Sequence, residues 1–306
     1  MKSRIIYGLV YSAMWLLAKL PFGVLHLLGD LSYLIMYRLM RYRLRVVRRN
    51  LERSFPEMAT KRRRQIERQF YHFLADCLLE DLKTMHLSQV EMCRRMTYHH
   101  TEQFLRMIDK HGGIVLMIPH YANYEWIIGM GGIMNPGDVP VQVYKPLKDK
   151  YLDALFRRIR SRFGGMNVPK HSTARELVKL KRSGKKMVVG LITDQWPGAD
   201  EKYWTTFLHQ DTAFLTGAER IAKLMDYPVF YCELSKPRRG YCEVTFRLMT
   251  ECPKATGDGE ITEMFARHLE ATICREPAYW LWSHKRWKAP RESEERHPHI
   301  PQANDA

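Results

Sequence analysis

Short apolar runs alternate with amphipathic segments from residue 114 onward, and this alternation predicts the fold class. The apolar runs are short and rich in branched and aromatic side chains, which is typical of strands: IVLMI (114–118), VQVY (141–144), MVVGLI (187–192) and VFYCEL (229–234). Segments between them have helical periodicity: YLDALFRRIRSRF (151–163), STARELVKLKRSG (172–184) and LTGAERIAKLMD (215–226). The run YCEVTFRLM (241–249) follows the last strand across SKPRRG, which predicts a closing hairpin. We therefore expect an α/β fold with a mixed central sheet flanked by helices.

The amino-terminal 40 residues have a different pattern. The apolar run IIYGLVYSAMWLLA (5–18) has about 14 residues, fewer than the roughly 20 that a membrane span needs, and Lys19 ends it. Tyr7, Tyr11 and Trp15 suit an interfacial helix with aromatic anchors, which we favour over a true span or a buried core helix. The expected organisation is a helical membrane-attachment region (1–40), an α/β domain large enough for an enzyme (41–290) and a polar, disordered tail (291–306).

Positive charge is concentrated next to that apolar region. The chain has a net charge of +16, which implies an anionic partner. The basic cluster comprises Arg38, Arg41, Arg43, Arg45, Arg48, Arg49 and Arg53. Such a juxtamembrane cluster attracts anionic headgroups and, by the positive-inside tendency, predicts that the bulk of the membrane-attached chain lies in the cytoplasm. Nucleic acid is the rival partner, but no zinc finger, RNP motif or heptad repeat accompanies the charge.

Cysteine and histidine spacing excludes the common metal motifs. The six cysteines lie far apart without a CxxC pair, which argues against a zinc ribbon and favours reduced thiols. HExxH is also absent, so we expect neither a metal nor another cofactor.

The stretch IPHYANYEW (118–126) contains the strongest candidate for acid–base chemistry. In one continuous helix His120 and Glu125 would lie about 140° apart, on different faces. Pro119 and the potential N-cap Asn123 instead place His120 in a strand-to-helix turn, from which Glu125 in the first helical turn can reach the imidazole. The other ring nitrogen would then be a general base. The alternative is a structural capping histidine beside a first-turn glutamate.

The chain lacks a recognisable nucleophile of its own. Neither a GxSxG elbow nor a partnered cysteine is present. The His120–Glu125 pair would therefore deprotonate a substrate hydroxyl, which attacks an activated donor directly.

Several segments together resemble the late acyltransferases of lipid A biosynthesis, relatives of the wider HxxxxD glycerolipid acyltransferases. They are RRNLERSFPE (48–57), HYANYE (120–125), VYKP (143–146), RRIRSRFGG (157–165), DQWPG (194–198), TFLHQDTAFLTGAERIA (206–222) and WLWSHKRWK (280–288). The resemblance implies acyl transfer from an acyl carrier protein or CoA thioester to a hydroxyl of an anionic lipid A precursor.

Carried over by position, the resemblance makes His120 the base and Glu125 its orienting partner, in place of the aspartate of the wider superfamily. Tyr144 and Lys145 match a position where the family often has tyrosine–arginine. Lys145 would face an anionic acceptor group, such as a sugar phosphate, together with Arg160.

Two further segments provide candidate substrate contacts. Asp194 and Gln195 end a predicted strand and could border the same pocket as His120, although a plain strand-end turn is the alternative. Arg286 in WLWSHKRWK is a candidate anion contact. We expect the tryptophans of this segment to pack against the sheet rather than to form an interfacial aromatic belt.

Two other functions remain compatible with the sequence. One is an acyltransferase for another membrane acceptor, such as a glycolipid, an aminolipid or a lysophospholipid. The other is a basic lipid-binding protein without catalytic activity, against which the placement of His120 and Glu125 argues.

Overall fold

A computed structural model describes residues 2–198 and 203–288 and confirms the α/β architecture. The α-helices are α1 (Lys2–Lys19), α2 (Phe22–Tyr33), α3 (Leu44–Ser54), α4 (Thr60–Lys83), α5 (Gln89–Arg95), α6 (Thr101–His111), α7 (Lys150–Arg160), α8 (Thr173–Arg182), α9 (Gly217–Met225) and α10 (Glu260–Arg275). The strands are β1 (Met96–His99), β2 (Gly113–Ile118), β3 (Val139–Tyr144), β4 (Met166–Pro169), β5 (Met187–Ile192), β6 (Trp204–Phe207), β7 (Gln210–Ala213), β8 (Val229–Arg238) and β9 (Tyr241–Thr250). A π-helical turn (Leu34–Leu39) continues α2, and a 3-10 helix (Tyr124–Gly132) follows β2.

Within the described residues, seven strands form one mixed sheet in the order β1-β9-β8-β2-β5-β3-β4. All neighbouring pairs are parallel except β8 and β9, which form the predicted antiparallel hairpin. β2 and β5 lie at the centre, and every residue of β2 is buried. Parallel sheets covered by helices open their ligand sites at the carboxyl ends of central strands, so the ends of β2 and β5 position the site.

The amino-terminal helices pack on the α/β domain. Tyr33 and Tyr37 are buried in the same hydrophobic core as the central strands. Arg239 from the β8–β9 turn ties this region down, because it donates to Asp30 on α2 and to Asp76 on α4 at 2.8 and 2.6 Å. The proposed boundary at residue 40 stays a prediction, and the predicted tail 291–306 lies outside the described residues.

Part of the surface of this amino-terminal region is apolar. None of the helices in the described part of the chain combines the length and apolar character needed to cross a bilayer. Large apolar side chains are nevertheless exposed on it: Leu16, Leu27, Leu31, Leu34, Leu39 and Met40. Trp15, one of the expected anchors, packs its ring against His86 at a centroid distance of 5.2 Å.

A buried polar network connects α4, the sheet and the segment after β2. Glu80 is fully buried and lies 3.3 Å from Lys236 Nζ on β8. Asn123 Nδ2 donates to Glu80 Oε2 at 3.1 Å. Burial would raise the pKa of Glu80, but the His26 imidazole 3.5 Å from Oε1, the charge of Lys236 and the bond from Asn123 outweigh it and lower that pKa to about 2.

We expect the stability of the protein to decline with acid through this network. Because the folded pKa of Glu80 is below the unfolded value, its stabilisation is present above about pH 4.5 and is lost as the pH falls toward about 2. Glu80→Gln would leave Lys236 buried without a counter-charge, which should lower the free energy of unfolding by about 3–5 kcal/mol at neutral pH. Urea unfolding in detergent measures the difference in free energy of unfolding between the wild-type protein and Glu80→Gln, and this difference should be smaller at acidic than at neutral pH. The exposed Glu52→Gln is the control, and a difference that does not change with pH contradicts the assignment.

Candidate active site

The carboxyl ends of β2 and β5 bring His120 and Asp194 together. The two strands are parallel, with Ile118 opposite Ile192, and the two polar residues follow these positions by the same two-residue offset. In-register parallel strands place such residues side by side at one edge of the sheet. His120 therefore meets Asp194, which is distant in sequence.

Asp194 contacts both the imidazole ring and the backbone N–H of His120. His120 Nδ1 lies 2.6 Å from Asp194 Oδ1, and the backbone N–H of His120 donates to Asp194 Oδ2 at 3.0 Å. Trp280 Nε1 also donates to Oδ2, at 2.9 Å. Burial would raise the pKa of Asp194, but the charge of His120 and these hydrogen bonds lower it below its usual value. An ionised carboxylate only accepts, so we assign the imidazole proton to Nδ1.

This assignment leaves Nε2 of His120 as the basic nitrogen. Gln195 Nε2 lies 2.9 Å from it, and an amide N–H donates well to the lone pair of that tautomer. The His120 side chain is 11% exposed, so solvent or a ligand can still reach it. Gln195 thus occupies the place from which a substrate hydroxyl would donate.

An apolar groove leads to Gln195. Its volume is about 480 Å³. Its apolar lining comes from Met36, Met40, Leu74, Leu78 and Leu281. Methionine side chains are flexible and adapt to irregular apolar ligands, so the groove suits a hydrocarbon chain.

The structure does not show the predicted contact between Glu125 and His120. Glu125 lies in the 3-10 helix and binds Arg160 at the end of α7 through two hydrogen bonds, from Nη2 at 2.8 Å and from Nε at 3.2 Å. Two hydrogen bonds from one guanidinium stabilise a carboxylate more than a single hydrogen bond from an imidazole does. The ring of Tyr124 instead lies against His120, with a centroid distance of 4.8 Å.

Asn123 does not act as the predicted N-cap. The 3-10 helix begins after it, but its side chain makes no capping hydrogen bond. Its amide group is used instead in the bond to Glu80.

The remaining predicted contacts lie in three places. Tyr144 and Lys145 lie at the carboxyl end of β3, where Tyr144 lines a cavity of about 740 Å³ with Arg157 and Arg158. Arg160 is engaged with Glu125. Arg286 is buried and donates to the Ala213 carbonyl, and burial lowers its pKa to about 10. It does not line the apolar groove.

The structure confirms the structural interpretation of the carboxyl-terminal tryptophans. Trp280 and Trp282 are buried in the core, and their rings meet edge to face at 4.8 Å. Cys232 and Cys242 on the hairpin are buried free thiols. Within the described ranges, no group of three or more His, Cys, Asp or Glu side chains could hold a metal ion.

The role of Trp280 as a donor to Asp194 was not predicted, and it gives a test of the site. We expect Trp280→Phe to lower turnover about tenfold, because the lost bond held a buried carboxylate in place. The matched control is Trp282→Phe, since that indole is equally buried but donates to the Pro277 carbonyl. Both variants should lose similar stability in urea unfolding. Equal turnover in the two variants would contradict the role of Trp280.

Comparison with known proteins identifies relatives over nearly the whole chain. Residues 1–289 match the family model described as bacterial lipid A biosynthesis acyltransferase. The lipid A biosynthesis lauroyltransferase of Escherichia coli (strain K12) is 25% identical over 281 residues, which cover 90% of this chain and 89% of that protein.

Proposed function

Because the chain belongs to the bacterial lipid A biosynthesis acyltransferase family, we propose that His120 is the general base in its acyl transfer to a lipid hydroxyl. The acyl donor is a thioester of acyl carrier protein or CoA, and the acceptor is an anionic lipid A precursor. The observation that supports this most strongly is the His120–Asp194 pair, whose unprotonated Nε2 accepts from Gln195, a residue that lines an apolar groove.

The reaction needs one proton acceptor and no covalent enzyme intermediate. The acceptor hydroxyl displaces the Gln195 amide and donates to His120 Nε2. Its oxygen attacks the thioester carbonyl carbon while Nε2 takes the proton. The tetrahedral intermediate then collapses, the carbon–sulfur bond breaks, and the leaving sulfur takes the proton back from the imidazolium. An ester and a free thiol result.

Asp194 makes this proton transfer favourable. Its carboxylate keeps the proton of the neutral ring on Nδ1 and stabilises the imidazolium that forms during the reaction. In this mechanism Glu125 acts through Arg160 rather than through the imidazole. Tyr144, Lys145 and Arg160 stay predicted contacts of the acceptor, whereas the burial of Arg286 favours a structural role.

The apolar amino-terminal surface supports a location on the inner membrane, with the active site facing the cytoplasm. Exposed Leu27, Leu31 and Leu39 would enter the interfacial region, and the neighbouring arginines would meet anionic headgroups.

The acceptor class is tested with purified full-length protein in mixed micelles. Each reaction contains one thioester donor and one acceptor: a lipid A precursor, an uncharged glycolipid, an aminolipid or a lysophospholipid. Mass spectrometry should show the lipid A precursor gaining one ester-linked acyl chain, with release of an equal amount of thiol. Acylation of another acceptor in preference to it would contradict the proposal.

A further inference from the structure

A strongly basic cavity of about 640 Å³ lies beside the apolar groove. Its lining consists of Arg43, Arg49, His284, Lys285, Trp287 and Lys288. No acidic side chain belongs to this lining. Burial and the charge of Arg286 lower the pKa of His284 to about 4, so the positive charge near neutral pH comes from the arginines and lysines.

The protein does not neutralise the four cations of this lining, which are Arg43, Arg49, Lys285 and Lys288. Among the described residues, none of them forms an ion pair with a carboxylate, whereas the neighbouring Arg48 is paired with Glu67 at 2.9 Å. Arg43 donates only to the Ser283 carbonyl, at 3.1 Å. Uncompensated cations that converge on a concave surface create a positive potential that favours an anionic ligand.

The basic cavity and the apolar groove form one continuous binding surface. Arg43 and His284 line both of them. His284 Nε2 also accepts a hydrogen bond from the backbone N–H of Trp196 at 3.2 Å, next to Gln195. An anionic group in the basic cavity would therefore lie close to a chain in the groove and to the proton acceptor, which fits a single amphiphile.

We propose that the basic cavity binds a phosphate group of the acceptor lipid while a hydrocarbon chain lies in the adjoining apolar groove. This assignment rests on the proposed function. It favours the acceptor over the donor because a long flexible arm separates the phosphate from the sulfur in a carrier or CoA thioester. The exposed apolar residues Leu39 and Met40 also come just before Arg43 in the chain, which places the cavity at the surface that a membrane lipid would approach.

The test is the selectivity for a phosphorylated acceptor. The double variant Arg49→Gln/Lys288→Gln removes two cations from the cavity. Both side chains are exposed, and neither forms a hydrogen bond or an ion pair within the described residues. The matched control, Arg53→Gln/Lys179→Gln, removes the same charge from exposed positions outside the cavity. The readout is the ratio of kcat/KM for a phosphorylated lipid A precursor to kcat/KM for its dephosphorylated analogue, together with the KM of the donor.

We expect the cavity variant to lose at least about tenfold in this ratio while the donor KM stays at the wild-type value. The control should keep the wild-type ratio. An unchanged ratio, or a rise in the donor KM alone, would overturn the assignment, the latter in favour of the phosphate of the donor.

Failure of the proposed function would look different, since the wild-type protein would then acylate neither lipid. In that case equilibrium binding of the two glycolipids in detergent micelles decides the assignment. A wild-type preference for the phosphorylated lipid that the cavity variant loses supports the subsite, and equal binding of both lipids overturns it.

Discussion

Replacing His120 with alanine should slow acyl transfer by about 10²–10⁴-fold, because the variant loses the imidazole nitrogen that lies beside Gln195, a residue of the groove lining. The acceptor should still bind, since its chain and headgroup contacts lie on other residues. The measurement is the single-turnover rate of ester formation with a thioester donor in mixed micelles.

His171→Ala controls for the loss of a histidine, because His171 is exposed and follows the edge strand β4, which β3 separates from β5. Circular dichroism and urea unfolding establish that both variants are folded. A folded His120→Ala protein with the wild-type transfer rate would remove the basis of the mechanism.

Asp194→Asn should be nearly as damaging, by about 10³-fold, although it changes one atom of the site. Trp280 and the backbone N–H of His120 both donate to Oδ2, so the amide oxygen of the asparagine must take that position. The amide nitrogen then faces His120 Nδ1 and donates to it. The ring proton moves to Nε2, and the nitrogen that should accept the substrate proton is occupied.

Glu125→Gln is the informative comparison for Asp194→Asn. It weakens the hold on Arg160, but it leaves both hydrogen bonds between Asp194 and His120 in place. Its loss of activity should therefore come without a change of tautomer. If Glu125→Gln moved the imidazole proton from Nδ1 to Nε2 and Asp194→Asn did not, Glu125 rather than Asp194 would be the orienting partner of His120.

The position of the site was predictable from local pattern, whereas the pairing within it was not. The strand before His120 and the strand before Asp194 are both visible as short apolar runs. Their adjacency in the sheet is a tertiary property that depends on strand order. The sequence favours Glu125 as the partner of His120 because the two residues are close in the chain. It does not show that the Arg160 guanidinium binds the Glu125 carboxylate instead. The equal two-residue offset after each strand was the available signal.

The fold was predicted where the pattern was long or strongly periodic. The central strands, the hairpin and the helices α7, α8 and α9 follow from such patterns. β1 and β4 escaped prediction because each has four residues at an edge of the sheet, where alternation is too short to recognise. The apolar groove could not be predicted either, because its lining combines Met36, Leu74 and Leu281 from distant parts of the chain.

The protonation of the His120 ring tests the central claim most directly. Long-range proton–nitrogen NMR correlation at mildly alkaline pH distinguishes the two tautomers, and the His120 signals are assigned by their loss in His120→Ala. We predict a protonated Nδ1 and an unprotonated Nε2 in the wild-type protein, with the reverse in Asp194→Asn. A wild-type spectrum with the proton on Nε2 would contradict the account.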